Sequence, residues 1–168
     1  MNGITAFRRR DARASAASAP RVLVLGYGNP GRQDDGLGPA AAAAIEKLNW
    51  PGVTTCDNYQ LVIEDALEIA DHDIVWFVDA ARDGAEPFDV RPLSAAPGIT
   101  FTSHLVQPEA LLAIADQCLG QLPEAYLVGI RGYEFEFLEG LTDRAEDNLA
   151  RAVTLIRHRI ADLLDASR

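Results

Sequence analysis

A chain of 168 residues is long enough to bury one sizeable core without a disulfide framework, and one domain is the default at this length. Its hydrophobic share of 48% and charged share of 24% exclude a disordered or fibrous chain. A net charge of −10 and a single lysine, Lys47, argue against a surface that neutralises nucleic-acid phosphates.

The charge is unevenly placed. Residues 1–21 carry five arginines against one aspartate, a surplus of +4, so the remainder stands at −14. The segment 1–20 is rich in Arg, Ala and Ser but lacks the apolar stretch of a secretory signal, and no run reaches membrane-spanning length. It reads as a flexible basic tail ahead of one domain over 21–168, in a cytoplasmic protein with no membrane partner. Cys56 and Cys118 fit no metal-ligand spacing and lie on apolar stretches, which reads as buried free thiols.

"RVLVLG", 21–26, is a short apolar, β-branched run ending in glycine, the pattern of a central strand buried on both faces. The glycine loop that follows leads into "LGPAAAAAIEKLNW", where Leu37, Ala41, Ala44, Ile45 and Leu48 recur at helical spacing and Pro39 suits a first turn. "VTTCDNY" predicts a strand, "LVIEDALEIA" a helix and "DIVWFVDA" a second fully apolar strand. "FDVRPLS" is a weaker extended piece. Beyond a loop rich in Pro, Gly, Thr and Ser, Pro108 opens a helix with Leu111, Ile114, Ala115 and Cys118 on one face.

"AYLVGIRG" predicts another buried strand, and "YEFEF" alternates aromatic with acidic residues in the manner of an exposed edge. A last helix starts near Thr142, with Leu149, Ala152, Val153, Ile156, Ile160 and Leu163 in one stripe. Strands alternating with helices imply a parallel sheet covered on both sides. The expectation is a single three-layer α/β/α domain around a mostly parallel twisted sheet, of the phosphorylase/hydrolase-like kind.

In open α/β sheets, ligands collect outside the carboxyl ends of the strands. Three such places carry metal-capable groups: Asp34 and Asp35 after the first strand, Asp79 closing "DIVWFVD", and His104 in the loop before Pro108. Two carboxylates and an imidazole suit a divalent transition metal and leave a position for water or substrate. Each also has a plainer role: Asp79 as a turn cap, His104 as a loop residue, Asp34 and Asp35 as acids at a helix N-terminus. His72, at the amino edge of a strand, and His158, in "RHR", read as structural or surface groups.

"GYGNPG" formally satisfies the G-x-G-x-x-G dinucleotide pattern. Pro30 removes a backbone N–H from such a cradle, and Asp34 and Asp35 would repel a pyrophosphate. "GNPG" is also similar to peptidyl-tRNA hydrolases, but those place a histidine and asparagine shortly afterwards, where this chain has "QDDG".

Taken together, "VLVLGYGNPGRQDDGLGPAAAAAIEKL", "DIVWFVDAA", "TSHLVQPEALLAIA" and "AYLVGIRGYEFEFLEGLT" resemble the hydrogenase maturation proteases, over roughly residues 21–165. These endopeptidases trim the C-terminus of the large subunit of NiFe hydrogenases. The resemblance implies a nickel-loaded large-subunit precursor as partner and the release of a short C-terminal peptide. Carried over singly, the family's metal-contacting acid falls on Asp35, its strand-end aspartate on Asp79 and its loop histidine on His104. The same trio would be catalytic through the metal, with Gly28, Asn29 and Asp34 meeting substrate. Nickel would be presented by the substrate, and zinc or cadmium could occupy the same site. Many family members carry glutamate where this chain has Asp35, and "GYEFEF" departs from the usual sequence. A non-catalytic nickel-sensing or chaperone-like module of the same fold stays open beside the enzyme.

Overall fold

The computed structural model describes residues 19–96 and 106–166. Most of the basic tail and the loop residue His104 lie outside the described residues. The elements run β1 (Val22–Tyr27), a 3-10 segment (Pro30–Gly36), α1 (Leu37–Glu46), β2 (Val53–Asn58), α2 (Asp65–Ala70), β3 (Ile74–Ala81), β4 (Phe88–Leu93), α3 (Pro108–Leu119), β5 (Glu124–Arg131) and α4 (Asp143–Asp165). They form one five-stranded sheet in the order β2-β1-β3-β5-β4, parallel except for β4, which pairs antiparallel with β5 at the edge.

The strands are apolar on both faces because both faces are covered. Successive β1 side chains alternate between two cores: Val22 and Val24 join Trp76, Val78, Ile156 and Ile160 on one face, and Leu23 and Leu25 join Val75, Phe77, Leu111 and Leu112 on the other. Helices α1 and α4 cover the first face, α2 and α3 the second, which gives the three expected layers. Ile156 and Ile160 of α4 are wholly buried, and truncating either to alanine would cost about 2–5 kcal/mol. The amphipathic stripe of α4 starts behind Thr142, whose hydroxyl accepts from the Ala145 N–H as an N-cap.

β4 contains Pro92, which a sheet tolerates at its edge, where one row of N–H groups has no partner strand. Three expectations are corrected. "YEFEF" lies outside the sheet, as irregular chain with a bend after β5. α2 is short, because Leu61 and Val62 are irregular and Ile63–Glu64 form a turn ahead of it. Cys118 is exposed and Cys56 half-buried, since Cys118 falls on the solvent side of α3 while Leu111, Leu112 and Ala115 face the core. Among the described residues, no helix is long and apolar enough to cross a membrane.

The connection from β1 to β2 runs to one side of β1, and the next strand, β3, lies on the other. The carboxyl ends of β1 and β3 therefore flank the topological switch point, the crevice where open α/β sheets take ligands. α1 packs tightly behind it because residue 38 is glycine: a Cβ on Gly38 would lie 2.3 Å from the Tyr27 carbonyl oxygen and 2.5 Å from that of Val78.

Candidate functional site

The strand register fixes the first pair of side chains. Gly26 stands opposite Val78, so the next residues, Tyr27 and Asp79, are neighbours at the two strand ends and point to the same face. The Tyr27 phenol lies beside the Asp79 carboxyl, and Asp79 Oδ1 accepts from the Ala80 N–H at 2.8 Å. Burial pushes the Asp79 carboxyl up to about 6, with the Ala80 N–H and the Tyr27 hydroxyl pulling the other way and the nearby Asp35 charge adding to the rise. Burial and then the Asp79 charge drive the Tyr27 phenol upward as well, so it stays a neutral donor.

Asp35 reaches the same place from the loop after β1. Gly28 makes this possible: its φ is 138°, and a Cβ there would sit 2.0 Å from the Asp35 carbonyl oxygen. Only glycine lets the loop fold back this closely. The Asn29 N–H then donates to Asp35 Oδ2 at 3.0 Å. The Asn29 side chain accepts from the Gly31 N–H at 2.9 Å and donates to the Tyr59 hydroxyl at 2.6 Å, tying the loop to the end of β2.

Asp35 and Asp79 open into one pocket of about 350 Å³, lined also by Tyr27, Gly28, Asn29, Arg32, Tyr59 and Pro108. Its chemistry suits a cation. Two carboxylates share a concave space, and the polar contacts of Asp79 do not offset the cost of burying its charge. Among the described residues no three His, Cys, Asp or Glu side chains gather, and the expected third ligand, His104, lies outside them. Pro108, which opens α3, lines the pocket, so the chain enters α3 at the pocket's edge.

The adjacent acid, Asp34, takes a different role. It is completely buried, and its carboxylate accepts from the N–H groups of Tyr133, Glu134 and Thr142 and from the Thr142 hydroxyl, at 2.7–3.1 Å. Burial pushes this carboxyl up, but the four donors outweigh it and hold it below its ordinary value. The structure places Asp34 behind the pocket, with its carboxylate turned to the chain's own backbone. Its neighbour Gln33, at φ 47°, completes the seam, accepting from the Glu136 N–H and donating to the Glu134 carboxylate.

Comparison with solved structures places this architecture. The hydrogenase maturating endopeptidase HybD from E. coli superposes with a TM-score of 0.68 at 21% identity, over 84% of this chain and 93% of that one. The NiFe hydrogenase maturation protease HycI from Thermococcus kodakarensis gives 0.65 at 22% identity, over 88% and 94%. The hydrogenase 2 maturation peptidase from a Thaumarchaeota archaeon gives 0.61 at 25% identity, over 83% and 97%. The chain has the maturation-protease fold. No family model and no curated protein matches the sequence itself.

Within the maturation-protease fold of this chain, the dinucleotide reading of the glycine loop loses its basis. The loop carries Asp35 into the pocket, where its carboxylate would repel a pyrophosphate. His72 is buried and bonded to the Glu68 carbonyl and the Thr54 hydroxyl, and His158 is exposed on α4, both away from the pocket as expected. Tyr27, Arg32 and Tyr59 were not singled out from the sequence. Tyr27 could have been found by counting register from Gly26, whereas Arg32 and Tyr59 depend on how the loops close.

Proposed function

We propose that this chain is an endopeptidase that removes a C-terminal peptide from the precursor of a NiFe hydrogenase large subunit once nickel has been inserted. The observation that carries the reading is the convergence of Asp35 and Asp79 at the β1–β3 switch point, in a fold shared with hydrogenase maturation endopeptidases. The nickel is part of the substrate. Asp35 and Asp79, with His104 as the third ligand, would hold it, and a divalent cation there supplies Lewis acidity toward a scissile carbonyl or water.

The chain's own residues set the conditions. Asp79, with its carboxyl near 6, is largely ionised at neutral pH at a cost to the metal-free fold, and a cation held there would offset that cost. Tyr27 flanks that carboxyl, and Asn29 fixes the orientation of Asp35. Gly28 and the Asn29 backbone form the floor on which a peptide would lie.

The test is purified protein with nickel-loaded and nickel-free precursor, read by mass spectrometry. Cleavage of the loaded form alone, lost in Asp35→Ala, Asp79→Ala and His104→Ala, is the expected result. Nickel-dependent association without truncation would replace the enzyme by a nickel-sensing module. Normal processing by all three variants would overturn the site.

A further inference from the structure

The segment Tyr133–Phe137 carries an arrangement that the cleavage site does not account for. Each of its three aromatic rings is a platform for a guanidinium. Arg144 lies 3.9 Å and Arg131 5.6 Å from the Tyr133 centroid, Arg82 lies 3.9 Å from Phe135, and Arg32 lies 4.9 Å from Phe137. Stacking holds the guanidinium plane while leaving N–H donors at its edge, so little further freedom is lost when an acceptor arrives.

The four are not equally engaged. Arg144 is ion-paired with Glu86, and Arg131 donates to the Gly84 carbonyl. Arg32 donates from Nε and Nη2 to the Phe135 carbonyl, which leaves the rest of its five donors. Among the described residues, neither Arg32 nor Arg82 has a carboxylate within ion-pair distance, in a chain of net charge −10. Both line a cleft of about 460 Å³ walled by Tyr133, Phe135 and Phe137, and Arg32 also lines the Asp35–Asp79 pocket. The cleft and the pocket meet at Arg32.

We propose that this cleft is a subsite for a carboxylate of the substrate polypeptide, taken by Arg32 and Arg82 while the bond to be cut lies at Asp35 and Asp79. The inference rests on the endopeptidase reading. Paired guanidinium forks match a carboxylate in shape and charge. Glu134, held by Gln33, and Glu136 stand on the same wall and repel loosely placed anions, so an acid is retained only where it reaches the guanidiniums. An acidic body repels a carboxylate elsewhere, which makes this contact fix the direction and register of the bound chain.

The experiment is steady-state cleavage of nickel-loaded precursor by wild type, Arg82→Ala, Arg82→Lys and Arg32→Ala, with thermal melts to confirm folding. Arg82→Ala is expected to raise KM about tenfold with kcat within about twofold, and Arg82→Lys to recover part of the loss. A panel of precursors, with each Asp or Glu near the cut neutralised and the C-terminus amidated, then locates the carboxylate. The one bound here loses the same factor in wild type and nothing further in Arg82→Ala. If it is the amidated terminus, the ligand is the α-carboxylate; if a substituted residue, a side chain. Should Arg32→Ala fail to fold, Arg82 and the panel carry the test. Cleavage by wild type with an unchanged KM in Arg82→Ala, or no coupling to any precursor carboxylate, overturns the subsite alone. No cleavage by wild type overturns the endopeptidase reading and this inference with it.

Discussion

Tyr27 and Asp79 stand side by side across the β1–β3 boundary, and they do so because Gly26 and Val78 are register partners one step earlier. Two strands some fifty positions apart in sequence thus present one electrostatically coupled pair at the switch point. What the pair does to stability follows from the sign of the Asp79 shift.

In metal-free protein Asp79 is expected to weaken the fold at neutral pH. Its carboxyl stands near 6 when folded and near 3.8 when unfolded, so the folded state binds the proton more tightly. The penalty is absent below about pH 3, builds as pH rises between those two values and is fully present above the folded one. Asp79→Asn should therefore raise the melting temperature at pH 8 by several degrees, corresponding to at most about 3 kcal/mol, and leave it unchanged at pH 3. The same variant should lose precursor cleavage. Melts at the two pH values, with a cleavage assay, check both halves; a lower melting temperature at pH 8 would contradict the assignment.

Tyr27→Phe removes one donor and leaves the ring in place. The Asp79 carboxyl should then titrate at higher pH, which NMR of the labelled carboxyl can follow. Global stability should change by no more than about 1 kcal/mol, because a single polar contact is lost while the ring stays packed.

Asp34→Ala is expected to be among the most damaging single substitutions. It empties the acceptor that three N–H groups and a hydroxyl share and leaves a void where a fully buried carboxylate stood, a loss of roughly 3 kcal/mol in denaturant melts. Its acid dependence is opposite to that of Asp79. A carboxyl held below its ordinary value adds stability above the unfolded value of 3.8, and that contribution disappears as pH falls through the folded value. Asp34→Ala should thus differ from wild type much less at pH 2 than at pH 7.

Gly28→Ala tests the loop. The added methyl meets the Asp35 carbonyl and the backbone has a positive φ, so the loop must shift by more than a rotamer change. Cleavage should fall at least tenfold while stability drops by about 1–3 kcal/mol, a split measurable by pairing an activity assay with a melt.

Much of this architecture was legible because burial writes itself into composition. Val22–Leu25 and Ile74–Val78 are apolar at every position since each faces a core on one side or the other. The boundaries of α4 were readable from Thr142 and the stripe behind it. Asp35 and Asp79 were found from the rule on strand ends. What sequence could not separate was Asp34 from Asp35: two identical, adjacent residues, one buried under four donors and one facing the pocket. That distinction comes from the fold-back of residues 133–142, between 99 and 108 positions away. "YEFEF" misled for a related reason. Alternation looks the same whether aromatic residues pair across strands or stack under arginines, and only the tertiary partners Arg32, Arg82 and Arg144 decide it.

The Asp34–Thr142 contact spans 108 residues. During synthesis, the loop that presents Asp35 therefore emerges early and waits for its clamp until the start of α4 has left the ribosome. A chain halted after β5 would own both pocket carboxylates and still lack the seam that shapes the Asp35 loop. Competence at the pocket is thus acquired in one late step of biogenesis, and a fragment ending before residue 142 should be inert however well its sheet has formed.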